Sequence, residues 1–152
     1  MIREQLPETL KIALKDKDAR AVSTLRLIMA ALKDRDIAAR GKDNSEGIGD
    51  DEILQMLQTM VKQRRDSIVM YEKGGRLELA EQEAEEILII QRFLPEQLNV
   101  SATESAVEKT ISDLGATGLK DMGTVMGALR DNYAGQMDFG RASTIVKALL
   151  SG

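Results

Sequence analysis

Apolar positions recur every three or four residues along nearly the whole chain, the spacing of one buried helix face. Leu6, Leu10 and Leu14 mark a first helix over Ile2–Lys15. Pro7 lies beyond the favoured first helical position and draws the expected start toward itself. Val22, Leu25, Ile28, Met29 and Leu32 mark a second helix over Ala19–Ala39. Gly41–Gly49 is polar and glycine-containing, the composition of a mobile connection. A third helix, Asp50–Lys73, opens on acidic residues that suit its N-terminal dipole, and Gly74-Gly75 ends it. A fourth runs over Leu77–Phe93 and stops at Leu94-Pro95.

The second part of the chain continues the same pattern in shorter helices. Leu94-Pro95-Glu96-Gln97-Leu98-Asn99 reads as a junction, giving an N-terminal domain of residues 1–94 and a tail of residues 95–152. Ser101 with Glu104 has the form of a capping box for a fifth helix striped by Val107, Ile111 and Leu114. Gly115 and Gly118 break it. Met122–Tyr133 forms a sixth, with Gly123 and Gly127 on one face, where small residues let another backbone come close, for packing, the commoner case, or for docking against a partner. The turn Tyr133–Asp138 reads as exposed, and Asp138 caps a last helix carrying Phe139, Ala142, Ile145, Val146 and Leu149. No segment alternates as a strand does. The expected fold is all-α: a bundle of long antiparallel helices followed by a small three-helix C-terminal domain. A tail of about fifty residues is near the lower limit for folding alone.

Composition narrows the chemistry. The 152 residues include no His, no Cys and no Trp. That excludes Cys–His and Ser–His nucleophilic sites, thiolate or imidazole zinc sites and thiol redox chemistry. Nucleotide-binding glycine loops are absent too. No catalytic residues, cofactor or metal are therefore expected. Zero cysteines fit a cytoplasmic protein, no apolar run is long enough to cross a membrane, and Met1-Ile2-Arg3-Glu4 lacks the apolar block of a signal peptide.

The net charge of −4 is concentrated. Between residues 76 and 100, Arg76 and Arg92 stand against Glu78, Glu81, Glu83, Glu85, Glu86 and Glu96. Within this stretch, the cluster Glu81, Glu83, Glu85 and Glu86 has two readings, oxygen ligands for a hard cation or a solvated acidic face, and the second is the commoner state of such a cluster. Basic residues are dispersed. Arg26, Lys33 and Arg40 form a narrow stripe beside the apolar face of the second helix, either a row for phosphates or an ordinary charged edge. Arg64 falls on the apolar side of the third helix and needs a partner: a glutamate of the fourth helix or an anionic ligand. Lys62 and Arg65 point elsewhere, free to contact an anion or a partner.

Several of these segments together carry a resemblance. Leu94-Pro95-Glu96-Gln97-Leu98 and Lys120-Asp121-Met122-Gly123-Thr124-Val125-Met126-Gly127-Ala128-Leu129 are similar to the GatB/YqeY family. Ser23-Thr24-Leu25-Arg26-Leu27, Lys62-Gln63-Arg64-Arg65-Asp66-Ser67-Ile68 and Tyr71-Glu72-Lys73-Gly74-Gly75-Arg76 extend the likeness over the whole chain. The chain resembles the free-standing YqeY-like proteins. Their tail is similar to the C-terminal domain of the B subunit of glutamine-dependent aminoacyl-tRNA amidotransferase, which helps hold the misacylated tRNA. The resemblance implies a link to translation and to carbon–nitrogen ligase activity with glutamine as amide donor. It implies tRNA as a partner; if RNA is bound, the basic residues expected to meet it are Arg130, Arg141 and Lys147 in the tail, helped by the stripe Arg26, Lys33 and Arg40. It also implies basic residues where this chain has Thr124 and Gln136. Sharing a domain transfers a surface rather than a mechanism, and no ATP-binding group or activated nucleophile is visible. The alternative is a protein-interaction adaptor, working through its tail or its acidic fourth helix.

Overall fold

The computed structural model describes residues 1–152 and contains only helices and their connections. It comprises two compact units, Met1–Pro95 and Glu96–Gly152. The first holds α1 (Ile2–Lys15), α2 (Ala19–Arg40), α3 (Asp50–Lys73) and α4 (Leu77–Gln91). Three-residue turns join α1 to α2 and α3 to α4, so each pair is an antiparallel hairpin. The hairpins pack through α2 against α3 and α4, and α1 also meets α3. Leu25, Ile28, Leu57 and Ile90 are wholly enclosed where the four helices meet.

Helix α1 begins at Ile2, five residues before Pro7, despite the proline. Burial of Ile2 and Leu6 holds this first turn down and outweighs the backbone bond that Pro7 forfeits. Leu14, expected on the apolar stripe, is about half exposed. The connection 41–49 is pinned rather than mobile. Arg3 donates two hydrogen bonds to Asp36, at 2.6 and 3.0 Å, and a third to the Ile48 carbonyl at 2.8 Å. Asp36 in turn accepts from the Ile48 N–H at 3.0 Å, and the Ile48 side chain is buried. Asn44 closes the loop on itself, donating to the Gly47 carbonyl and accepting from the Glu46 N–H.

The second unit holds α5 (Val100–Leu114), α6 (Met122–Asn132) and α7 (Phe139–Ser151), each packed on the other two. Val107, Val125, Leu129, Ala142 and Val146 form its closed centre. Asn99, not Ser101, caps α5: its side-chain oxygen accepts from the Ala102 N–H at 2.8 Å. The amide of Asn99 occupies the capping position first, which carries Ser101 into the helix. Leu114 is exposed, so the α5 stripe narrows after Ile111. Asp138 caps α7 as its position predicts, accepting from the Arg141 N–H.

The turn before Asp138 is not exposed. Met137 is buried, and the Leu98 N–H donates to the Gln136 carbonyl at 2.8 Å. The Gln97 side-chain amide also reaches the Gly135 carbonyl. Gly135 adopts φ of 76°, a conformation that favours glycine, so this turn can fold inward against Gln97 and Leu98. Buried polar groups are few, three threonine hydroxyls and the Glu86 carboxylate, which Arg64 meets. Thr24, Thr103 and Thr110 each donate to the carbonyl four residues earlier at 2.8 Å, and no buried side-chain polar atom lacks a partner.

Candidate functional site

The cations singled out from the sequence fall into three environments. On α2, Arg26, Lys33 and Arg40 are exposed and take no part in an ion pair. They border two open grooves that follow each other along the seam between α1 and α2. Arg26 edges the first, with Lys17, over a floor of Leu14, Val22 and Leu27. Lys33 and Arg40 edge the second, over Pro7, Met29 and Ile37. Asp36 also lies on this second rim, but its charge is met by Arg3. The Arg3 hydrogen bond, helped by the Ile48 N–H and by Arg40, holds the Asp36 carboxyl below the usual carboxylate range against the opposing effect of burial.

On α3, Lys62 and Arg65 are exposed, whereas Arg64 is turned into the bundle. Arg64 Nε donates to Glu86 at 2.9 Å and Nη1 donates to the Met60 carbonyl at 3.1 Å. Glu83 stands 4.0 Å from the same guanidinium. Burial, together with the neighbouring charge of Glu86, raises the Glu83 carboxyl above its ordinary value, with Arg64 opposing the shift. Arg20 of α2 bonds Glu85 at 3.2 Å and lies 3.9 Å from Glu86. The acidic cluster is therefore not a fully solvated face. Glu83, Glu85 and Glu86 meet guanidinium groups of two neighbouring helices, while Glu78 and Glu81 of α4 and Glu96 beyond it are exposed without an ion pair. No three acidic groups converge as a metal ion would need.

In the second unit, Arg130, Arg141 and Lys147 are exposed and outside any ion pair. Arg130 ends α6 and Arg141 begins α7, so the two flank one turn at the same end of a helical hairpin. Lys147 does not share their position: six residues past Arg141, it is rotated by about 120° around α7. Gly123 and Gly127 lie on the face of α6 that leads to Arg130, and nothing covers it. A β-carbon on either glycine would meet no atom within 4 Å. The close packing expected of these glycines is absent within this unit.

Sequence reasoning missed Arg3, Arg20 and Lys17. Arg3 and Asp36 lie 33 residues apart, a pairing no helical period reveals. Arg20 could have been sought as a second partner for the glutamates once Arg64 was seen to be insufficient for several carboxylates. The hydroxyls of Ser23, Thr59, Ser67 and Thr144 bond carbonyls of their own helices.

These features define an all-α protein of two helical units whose exposed chemistry lies in rows and pairs of cations. The chain belongs to the YqeY-like protein family, whose description matches residues 3–150. Among curated relatives it is similar to altered inheritance of mitochondria protein 41, mitochondrial, from three yeasts. Identity is 34% for Lachancea thermotolerans, over 72% of this chain and 55% of that protein. It is 31% for Kluyveromyces lactis, over 58% and 45%, and 29% for Clavispora lusitaniae, over 93% and 80%. The chain thus spans about half the length of the first two. No helix is long and apolar enough to cross a membrane.

Proposed function

We propose that this chain is an accessory protein of glutamine-dependent aminoacyl-tRNA amidation that binds tRNA and performs no chemistry itself. The observation that carries this reading is the end of the α6–α7 hairpin. Arg130 and Arg141 flank one turn there with no acidic partner, beside a glycine face open to close approach. Two guanidinium groups so placed suit phosphate oxygens, which they can meet in bidentate fashion. Lys147 supplies a third charge farther along α7. The likeness of the tail to a tRNA-holding domain supplies the identity of the polyanion. We place the protein in the cytoplasm, which its lack of cysteine suits; the mitochondrial location belongs to the relatives' names.

The test is binding of the purified chain to bulk tRNA at two salt concentrations, beside duplex DNA. Salt-sensitive binding to tRNA over DNA is expected, and joint replacement of Arg130, Arg141 and Lys147 by Ala should weaken it at least tenfold. Binding unchanged in that variant would remove the tail from the interface. No binding at low salt would remove direct tRNA recognition altogether.

A further inference from the structure

We propose that the α1–α2 seam of the N-terminal unit is a docking groove for an acidic amphipathic helix presented by a partner protein. The argument starts from spacing. Arg26, Lys33 and Arg40 recur every seven residues, so successive cations are about 10.5 Å apart along α2 and drift by only about 20° per step. A second helix laid along the seam meets that interval with its own seven-residue repeat, as flanking charges do between paired helices. Three cations over fourteen residues call for an occupant of about four turns or more.

The floor between these charges is apolar and unfilled. Leu14, Leu27 and Ile37 are each about half exposed, lining the grooves that Arg26, Lys33 and Arg40 border. An apolar floor bordered by one sign of charge is the arrangement that seats an amphipathic helix, apolar face down and carboxylates along the edge. The single carboxylate on the rim, Asp36, is already paired with Arg3 and does not oppose an acidic ligand. A phosphate backbone fits this surface less well. It would leave the leucine, valine and isoleucine surface unused, and neither groove offers an aromatic ring on which a base could stack.

The probe is a fluorescein-labelled synthetic helix of 21 residues, leucine on one face and Glu at each seventh edge position. Its twin carries Lys in place of Glu. Titrated with the full chain and followed by anisotropy, the acidic helix should bind and the basic twin should not. The joint change Arg26→Gln, Lys33→Gln, Arg40→Gln should lower affinity at least tenfold, and Leu27→Asp should do so through the floor. Circular dichroism confirms that these surface variants stay folded; were Leu27→Asp to unfold, Leu27→Ser replaces it. Equal binding of the two peptides, no binding, or binding indifferent to the three glutamines overturns the proposal. So does a loss of tRNA affinity in the glutamine variant with peptide binding intact, which would make the row a phosphate track. Self-association of the chain abolished by the same variant would name a second copy as occupant and overturn it equally.

Discussion

Arg3 shows how one side chain can order a loop whose composition predicts motion. Its guanidinium ties Asp36 of α2 to the Ile48 carbonyl, and the Ile48 N–H returns to Asp36. Gly47 is the residue that permits this. It sits at φ of 92°, and a β-carbon there would fall 2.6 Å from an Asp36 carboxylate oxygen and 2.9 Å from Arg3 Nη2. Gly47→Ala therefore adds backbone strain to a broken clasp and should destabilise the N-terminal unit by about 1–3 kcal/mol, read as a lower urea midpoint. The same clasp carries a pH signature. Because the folded Asp36 carboxyl is held below its unfolded value, its contribution is complete above the ordinary carboxylate range and is lost as pH falls through the folded pKa. Asp36→Asn should be less stable than the parent at neutral pH, with the gap narrowing progressively below pH ~4. A gap that stays constant to pH 3 would show that the charge on Asp36 is irrelevant.

Between elements, the decisive contact is Arg64 of α3 with Glu86 of α4, supported by Arg20 from α2. Their sequence positions reveal the need for it: a guanidinium on an apolar face must find a partner, and the acidic helix follows one short turn later. The sequence shows only that further cations are needed for these glutamates; that Arg20 answers depends on how the two hairpins cross rather than on any period within one helix. Arg64→Met strands a poorly solvated carboxylate and should cost about 3 kcal/mol in chemical denaturation. Combining it with Glu86→Leu should recover most of that loss, since neither charge is then left unpaired. A double variant as unstable as the single one would instead assign the penalty to lost packing around the arginine stem. Helix limits were legible to within a few residues for the same reason that the core was: buried positions follow the helical period. The first turn of α5 departs because Asn99 and Ser101 both cap well, and sequence cannot rank two adequate caps two residues apart.

At the scale of the molecule, charge is arranged against the average. The net −4 is set by one helix, and internal ion pairs already meet Glu83, Glu85 and Glu86. What a polyanion approaching from solution feels from α4 is chiefly Glu78 and Glu81, exposed and without ion pairs. The sequence displays all six glutamates of residues 76–100 equally, so it overstates the repulsive field; burial and pairing are what separate them. If tRNA meets the cations of the tail and makes no contact with α4, these two glutamates act on it only through the long-range field, which ionic strength screens. Glu78→Gln with Glu81→Gln should therefore raise tRNA affinity by a few-fold in dilute buffer, mostly through faster association. Near 1 M salt, where the screening length falls to about 3 Å, the advantage should vanish. Stopped-flow association rates at the two ionic strengths provide the measurement. An advantage that persists at high salt would mean that α4 lies in the RNA interface itself, while none at either salt would leave the acidic helix electrostatically silent toward RNA.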